Sequence, residues 1–363
     1  MPSLLARILF TLIGGSLVLV LGLALLVYSL SFHPDDVQPA DLACPVDTPE
    51  LPAGSSVRAL NWNVQYMAST NYVFWYDIPN NAGPDERPSK EDVLKTIPEV
   101  ARVIKEENPD IVLLQEMQED SVQSHHINTV EALMNELGDA YPCRAEVFYW
   151  KAGFVPVPQI MGHADMKLVT LSKYKIASAT RYALPLIPAD PVSQQLGLKR
   201  AVLAAEIAVA GGAKPLMALN THLSAFAQGT DTLDRQVEVV KGLLDGYTGD
   251  GLPWLIAGDF NMLPPGIDPN ALDEQSRVYY NPRTEITPLF DAFSGAPSLA
   301  QATGPNKARY YTHIANHNKD TIGADRTIDY YFYGGLTLGD FRVRTADTGH
   351  ISDHLPMIAD FNL

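Results

Sequence analysis

Short apolar runs separated by loops dominate the chain after residue 56, and each run has the length of a β-strand. They are aliphatic or aromatic, and glycine, proline, asparagine or aspartate bounds them. These runs predict strands at residues 57–64, 111–115, 167–171, 202–209, 216–222, 254–257, 328–333 and 357–361. Helical spacing is rarer and marks residues 89–107, where Pro98 is expected to kink or divide the helix, and residues 231–244. The pattern favours one α/β domain of two packed sheets with helices outside.

The first apolar run is longer than the others, because residues 8–30 contain no charged side chain. A helix of that length spans a hydrocarbon core of about 30 Å. The apolar region of a cleaved signal peptide is shorter, roughly 7–15 residues. We therefore expect an uncleaved transmembrane anchor within residues 1–33, with a cleaved signal peptide as the alternative. Arg7 precedes the run and Asp35 and Asp36 follow it, which predicts an extracytoplasmic location for residues 35–363.

Residues 34–55 contain five prolines among small and acidic residues. This composition predicts a stiff, unfolded tether between the anchor and a catalytic domain at residues 56–363. Cys44 lies in the tether and Cys143 lies far along the domain. In an oxidising compartment the two could form a disulfide, and otherwise they are free thiols. The sequence leaves both alternatives open.

The chain is acidic, with 26 Lys+Arg against 42 Asp+Glu and a formal net charge of −16. A protein that holds nucleic acid through many phosphates usually presents a basic face. No run rich in lysine or arginine occurs in the sequence. The charge therefore disfavours nucleic acid as a tightly bound partner.

Polar residues fall repeatedly at or near the ends of the predicted strands. They are Asn63, Glu116, His222, Asp259, Asn261, Asp329, Asp353 and His354. If those ends converge, four carboxylates and two histidines form one cluster. Asn220 and Thr221, by contrast, are assigned to the turn after their strand.

Such a cluster is typical of a site that binds Mg²⁺, with Mn²⁺ as the alternative, because hard cations prefer oxygen ligands. Glu116 suits the principal ligand and Asp353 a second. A metal neutralises charge on a phosphoryl group while a base activates the attacking water. His354, held by Asp329, suits that base. Asn63, Asn261 and His222 are then free to hold phosphate oxygens.

Six motifs together resemble the endonuclease/exonuclease/phosphatase superfamily, which includes deoxyribonuclease I, apurinic endonucleases, inositol-polyphosphate 5-phosphatases and neutral sphingomyelinases. They are, in order, LNWNV at 60–64, LLQE at 113–116, NTHL at 220–223, GDFN at 258–261, IDY at 328–330 and SDHLP at 352–356. The resemblance covers nearly all of the chain after the tether. It implies a four-layer α/β/β/α sandwich of two mixed sheets with the site at one end of the sheets.

The resemblance also implies roles for individual residues. Glu116 is the expected metal ligand with Asn63 as its neighbour and Asp353 close to the metal. His354 is the expected base, and Asp329 is expected to orient it. Two further residues, Asp259 and Asn261, are expected to act on the attacking water, the leaving group or the phosphate.

Two departures and one similarity bear on the substrate. Apurinic endonucleases carry an aspartate where this chain has Gln65, which argues against a DNA-repair role. The basic residue that the family commonly has two before Asp329 is replaced by Thr327. His222 in NTHL resembles the sphingomyelinase, 5-phosphatase and deadenylase branches.

The sequence leaves three substrate classes open. With the anchor and the acidic charge, it favours a membrane-anchored, sphingomyelinase-like phosphodiesterase acting on a phospholipid or sphingolipid head group. The alternatives are a phosphatase of a small or lipid phosphomonoester and an extracytoplasmic nuclease. A binding scaffold without activity is disfavoured because no catalytic motif residue is replaced.

Overall fold

The computed structural model describes residues 3–363, and its helices lie outside the sheets. The α-helices are α1 (Leu4–Ser29), α2 (Lys90–Glu107), α3 (Thr129–Leu137), α4 (Pro191–Leu196), α5 (Thr232–Gly249), α6 (Glu274–Arg277), α7 (Thr287–Ala292) and α8 (Leu299–Thr303). Pro98 does not divide α2, which runs unbroken because its apolar face is buried against the first sheet. Short 3₁₀ turns occur in several of the connections.

Every strand that the apolar pattern predicts is present, and further strands extend both sheets. The strands are β1 (Val37–Pro39), β2 (Asp41–Ala43), β3 (Ser56–Asn63), β4 (Ile111–Met117), β5 (Cys143–Val155), β6 (Gly162–Ser172), β7 (Ile176–Ala183), β8 (Ala201–Ile207), β9 (Leu216–His222), β10 (Trp254–Asp259), β11 (Ser294–Ala296), β12 (His313–Ile314), β13 (Ala324–Arg326), β14 (Asp329–Gly334), β15 (Thr337–Val343) and β16 (Met357–Asn362).

Within residues 3–363 these strands form two mixed seven-stranded sheets and one two-stranded ribbon, β12–β13. The first sheet has the order β15-β16-β3-β4-β6-β5-β2, and the second has the order β1-β7-β8-β9-β10-β14-β11. Only the central pairs β3–β4 and β9–β10 are parallel among the neighbours in these sheets. The predicted architecture of two mixed sheets is confirmed.

The core has three layers of apolar contact, which make the four-layer sandwich. The inner faces of the two sheets pack on each other through residues such as Leu113, Leu203 and Leu255. Helices α2 and α3 cover the outer face of the first sheet. Helices α5 and α7 cover the outer face of the second. Burial on both faces explains why the central strands read as continuous apolar runs.

Helix α1 stands apart from this core. Its side chains are mostly apolar, and none of them is buried within the protein. Length and composition fit a membrane span, and a signal sequence near the N-terminus shares both properties. The charged residue Arg7 is the fourth residue of the helix and precedes the uncharged run.

Part of the segment expected to be an unfolded tether is instead built into both sheets. β1 pairs with β7 in the second sheet, and β2 pairs with β5 in the first. A disulfide joins Cys44 to Cys143, which decides between the two alternatives left by the sequence. The expectation of an unpaired spacer is wrong for residues 37–43, because their backbone groups complete two sheet edges.

Candidate active site

Strand ends from both sheets meet at one edge of the sandwich. The parallel pairs β3–β4 and β9–β10 place their carboxyl ends side by side. In the second sheet Asp259 pairs with His222 on one side and with Asp329 on the other. Asn63 ends β3, and its amide donates across the sheets to Asp259 Oδ2 at 3.1 Å. The structure thus brings these four predicted site residues together.

Glu116 is positioned by an irregularity in β4. The pairing of β4 with β6 shifts register between Leu114 and Met117, and Glu116 has a φ of 61°. A bulge redirects a side chain, and left-handed backbone at a non-glycine residue costs of order 1–3 kcal/mol, so it persists where the surroundings enforce it. Here Asn63 Nδ2 donates to Glu116 Oε1 at 3.0 Å. The bulge therefore places the Glu116 carboxylate beside Asn63.

A buried amide network supports the site from below. Gln115 Nε2 donates to Asn61 Oδ1 at 2.9 Å and to Asn220 Oδ1 at 2.7 Å. Asn220 Nδ2 in turn donates to the carbonyls of Leu114 and Val169, each at 3.0 Å. The assignment of Asn220 to a turn is wrong, because its wholly buried side chain joins the two sheets.

The predicted pairing of His354 with Asp329 is present. His354 Nδ1 donates to Asp329 Oδ2 at 2.8 Å, and His354 Nε2 lies 3.5 Å from Asp259 Oδ2. The Asp329 backbone N–H donates to Thr312 Oγ1 at 3.2 Å. A histidine held at Nδ1 by a carboxylate presents Nε2 for proton transfer. The role of His354 as the base stays a prediction.

His222 is buried beside the carboxylates. Its Nε2 lies 3.3 Å from Asp259 Oδ2, and its Nδ1 lies 3.3 Å from the Tyr149 hydroxyl. Burial, together with the cations Arg200 and His354, holds the pKa of His222 well below its usual range. The imidazole is therefore neutral at neutral pH and can donate one hydrogen bond to a phosphate oxygen.

Asn261 is held in the left-handed region with a φ of 55°. Its backbone N–H donates to Asp259 Oδ1 at 2.9 Å, and its Nδ2 donates to the Leu223 carbonyl at 3.1 Å. It faces a cavity that Asp353 also lines. These contacts fix Asn261 beside Asp259, which is expected to act on the attacking water, the leaving group or the phosphate.

Burial raises the pKa of three carboxyl groups at the site. The pKa of Asp259 rises to about 7, and the pKa values of Glu116 and Asp353 also rise. Burial lowers the pKa of His354, but the carboxylates of Asp329 and Asp259 outweigh it and hold the pKa well above its usual range. Acids packed this closely repel one another, so a bound cation would stabilise the ionised cluster.

These residues fit a divalent cation. Oxygen donors predominate, and hard cations take carboxylate and amide oxygens. Two sets of side chains have ligand atoms within 4.8 Å of one another: His313, Asp353 and His354, and Asp259, Asp329 and His354. Glu116 lies in neither set, and Asn63 Oδ1 accepts a hydrogen bond from Gln65 N at 3.0 Å. The assignment of Glu116, Asn63 and Asp353 as ligands stays a prediction.

Sequence reasoning missed four residues around the site. The His313 ring meets the His354 ring edge to face at 4.8 Å, and Tyr149 contacts His222. Arg200 is buried beneath the site, and its Nε and Nη1 have no hydrogen-bond partner among residues 3–363. Asp77 lines the same cavity as Asn261. No motif contains these residues, and only the tertiary structure brings them to the site.

The chain belongs to the endonuclease/exonuclease/phosphatase family, whose model matches residues 60–354. Members of this family are metal-dependent phosphoric ester hydrolases, and this chain is an enzyme of that class. The predicted superfamily is thereby confirmed. No curated protein sequence matches the chain.

Solved structures of this family share the fold. An endonuclease/exonuclease/phosphatase from Beutenbergia cavernae is 19% identical with a TM-score of 0.54, over 85% of this chain and 72% of that one. The human Nocturnin catalytic domain with bound sulfate is 19% identical with a TM-score of 0.52, over 89% and 98%. Truncated Caenorhabditis elegans TDP2 is 15% identical with a TM-score of 0.50, over 86% and 99%.

Proposed function

We propose that the protein is a membrane-anchored, Mg²⁺-dependent phosphodiesterase that cleaves a phospholipid or sphingolipid head group. The observation that carries the proposal is the docking of the α1 C-terminus on an apolar cluster that also contacts Trp75, whose neighbours Tyr76 and Asp77 line the cavity shared with Asn261 and Asp353. An enzyme held in this way meets lipid head groups at a high effective concentration.

The junction between α1 and the domain is built from specific contacts. Gly153 N donates to the Leu30 carbonyl at 2.7 Å, and Ser31 forms a β-bridge with Ala152. Val27 packs against the apolar cluster of Ala152, Val155, Ile160, Ala164 and Leu196. These contacts favour one orientation of the domain relative to the helix.

The same apolar cluster contacts a segment that lines the cavity beside the candidate active site. Trp75 packs against it, and the next two residues, Tyr76 and Asp77, line the cavity shared with Asn261 and Asp353. A bilayer that contains α1 would therefore lie close to the catalytic mouth. Four exposed apolar side chains border the junction and suit the membrane interface: Phe154, Met161, Val192 and Leu198.

The charges near α1 and the disulfide both favour an extracytoplasmic location for the catalytic domain. The Cys44–Cys143 disulfide suits an oxidising compartment, in agreement with Arg7 on the cytoplasmic side of the anchor. The net charge of −16 disfavours long nucleic acids as substrates. The disulfide and Arg7 favour an extracytoplasmic enzyme, and the net charge favours lipid over nucleic acid as its substrate.

The side chains of the site divide the chemistry as follows. Glu116 and Asp353 would hold Mg²⁺ or Mn²⁺, and the bound ion would neutralise charge at the phosphoryl group. His222 and Asn261 orient the phosphodiester. His354 and Asp259, whose Nε2 and Oδ2 lie 3.5 Å apart, handle the proton of the attacking water.

The test uses the full chain in lipid vesicles with and without Mg²⁺. The panel contains sphingomyelin, phosphatidylcholine, an inositol phosphate and plasmid DNA, with His354→Ala as the inactive control. We expect release of a phosphorylated head group from the lipids, and no release by His354→Ala. Cleavage of DNA or of the inositol phosphate with intact lipids would overturn the proposal in favour of a nuclease or a phosphomonoesterase.

A second variant tests the orientation of the domain. A Cβ at position 153 would lie 2.9 Å from Leu30 Cδ2, so Gly153→Val disturbs the α1 junction without touching the active site. We expect this variant to lose activity on vesicle lipids and to retain activity on a soluble phosphodiester. Equal loss on both substrates would indicate a folding defect, and no loss on either would contradict the docked orientation.

A further inference from the structure

A cavity of about 90 Å³ opens beside the catalytic residues, and much of its lining has no part in the chemistry above. Its lining includes the acid Asp77 and four aromatic side chains, which are Tyr76, Phe226, Tyr279 and Tyr280. It also reaches Asn261 and Asp353, so a group in the cavity would be adjacent to a phosphoester at the active site. The combination of aromatic faces with a carboxylate is the chemistry that recognises organic cations.

Asp77 is a half-buried acid, and no cationic side chain of residues 3–363 pairs with it. Its Oδ2 accepts hydrogen bonds from Phe74 N at 2.8 Å and from Asn316 Nδ2 at 3.4 Å. Among residues 3–363, no lysine, arginine or histidine nitrogen lies within 4.0 Å of its carboxylate. Burial raises the pKa of Asp77 to about 7, and the nearby carboxylates Glu116 and Asp85 add to the rise. A cation in the cavity would offset the unfavourable free energy of ionising Asp77.

The aromatic side of the cavity is partly exposed to solvent. Phe226 is 52% exposed and has a φ of 58°, an unusual conformation for a bulky residue. Its ring meets the Tyr279 ring edge to face at a centroid distance of 4.9 Å. An exposed aromatic ring in a constrained backbone conformation suits contact with a ligand better than packing.

The one arginine in the lining does not make the cavity an anion site. Arg326 donates to both Asp325 oxygens, at 2.6 Å and 2.8 Å, and to Ser276 Oγ at 2.7 Å. Its guanidinium also lies 5.6 Å from the centroid of the Tyr280 ring. The charge of Arg326 is therefore neutralised within the fold, whereas Asp77 has no counter-ion among the residues that the structure describes.

We propose that this cavity binds an organic ammonium group carried by the substrate, so that the preferred phosphodiester bears a choline-like head group. The inference rests on the proposed function, since it assigns the ammonium to the head group of the lipid that the site cleaves. The ammonium would lie against Asp77 with Phe226, Tyr279 and Tyr280 around it, while its phosphate lies beside His354. Sphingomyelin and phosphatidylcholine share this chemistry.

The test compares a cation with its neutral isostere. Full-length protein in a maltoside detergent is titrated calorimetrically with tetramethylammonium, choline and 3,3-dimethyl-1-butanol, which has the shape of choline without the charge. We expect both cations to bind at least about tenfold more tightly than the alcohol. Binding of the alcohol with equal affinity would overturn the proposal.

Variants locate the binding. Asp77→Asn keeps an oxygen to accept from Phe74 N and should weaken tetramethylammonium binding at least about tenfold. Phe226→Ala, at an exposed position, should weaken it about three- to tenfold. Val278→Ala is the matched control, because Val278 is 49% exposed and lies outside the cavity lining. Unchanged binding by Asp77→Asn would contradict the assignment.

Hydrolysis separates this inference from the proposed function. With soluble diesters, Asp77→Asn should raise KM for p-nitrophenyl phosphocholine at least about tenfold and leave KM for the 3,3-dimethylbutyl analogue within about twofold. Calorimetric binding of tetramethylammonium without any lipid cleavage would leave the cation site standing and refute the lipid substrate. Cleavage of sphingomyelin, phosphatidylcholine and phosphatidylglycerol at equal rates would support the lipid reaction and refute the ammonium site.

Discussion

Gln115 Nε2 donates a 2.7 Å hydrogen bond to Asn220 Oδ1, and this bond joins the two sheets beneath the predicted catalytic residues. Both side chains are wholly buried. Gln115 directly precedes Glu116, and Asn220 lies two residues before His222 in β9. The bond therefore sets the position of one predicted metal ligand relative to one predicted phosphate-binding histidine.

Loss of this link should lower the free energy of unfolding. Asn220→Leu leaves the carbonyls of Leu114 and Val169 without their side-chain donor, and buried unsatisfied groups cost about 1–3 kcal/mol each. We expect urea unfolding to show a loss of about 2–4 kcal/mol. Asn362→Leu, at the exposed end of β16, serves as the control and should change stability little. Equal stability of the two variants would refute a structural role for Asn220.

Replacement of the residue that orients His354 should lower the catalytic rate. Asp329→Asn removes the carboxylate that accepts from His354 Nδ1, and we expect kcat to fall about 10²–10⁴-fold with little change in KM. Because the two residues act as a unit, adding His354→Ala should cost little more. Steady-state kinetics on a soluble phosphodiester measure this, with the exposed Asp291→Asn as the control. If the losses of kcat in the two single variants added up in the double variant, Asp329 and His354 would act independently, contrary to this prediction.

Removal of divalent metal should abolish activity and lower thermal stability. Ions that bind only the folded state raise the melting temperature by mass action. We expect added Mg²⁺ to raise the Tm of the chelated wild-type protein and to have no such effect on Glu116→Gln. Glu136→Gln, an exposed position on α3, should respond like the wild type. A full Mg²⁺ response in Glu116→Gln would exclude Glu116 as a ligand.

Stability should depend on pH through Asp77. The pKa of Asp77 is about 7 in the folded state and 3.8 in the unfolded state. Below pH 3.8 the carboxyl group is protonated in both states and does not lower the free energy of unfolding. As the pH rises from 3.8 toward 7, only the unfolded state loses the proton readily, so the free energy of unfolding falls. We expect Asp77→Asn to gain about 2–4 kcal/mol over the wild type between pH 4 and pH 8. Chemical unfolding of the metal-free proteins across this range measures the difference, and a constant difference would contradict the raised pKa.

The disulfide should contribute substantially to stability. Cys44 and Cys143 are separated by 99 residues, so their bond restricts the unfolded chain over a long loop. We expect Cys44→Ala with Cys143→Ala to lose about 2–4 kcal/mol in chemical unfolding. Dithiothreitol should destabilise the wild type to the same level and leave the double variant unchanged. An effect of the reductant on the double variant would point to a cause other than this bond.

The predictable part of the fold is the part buried on both faces. The central strands lie between the sheets and the helices, so they read as short apolar runs, and their ends carried the site residues. The missed strands lie nearer the edges of the sheets. β15 is largely exposed, and β5 mixes charged and aromatic residues, so neither gives a clean apolar run.

The unpredicted elements depend on partners distant in sequence. The three residues of β1 have strand conformation because Val37 pairs with Tyr182, and nothing within the proline-rich segment itself indicates that pairing. His313 likewise reaches the site through a bridge to His354. Asp77 lies in a loop whose fold is set by its own hydrogen bond to Phe74. Sequence pattern records local preference and burial, whereas these features arise from contacts made only on folding.

For an enzyme anchored through α1, as proposed above, the two short strands and the disulfide that follow the helix would also determine how the enzyme can be released from the membrane. Val46 is 86% exposed and lies just after Cys44, in a stretch that a protease can reach. A cut there would not free the catalytic domain, because the Cys44–Cys143 bond and the pairing of β1 and β2 still hold the two fragments together. Release would require both reduction of the disulfide and separation of β1 and β2 from their sheets, or a cut between α1 and β1 that leaves both sheets complete.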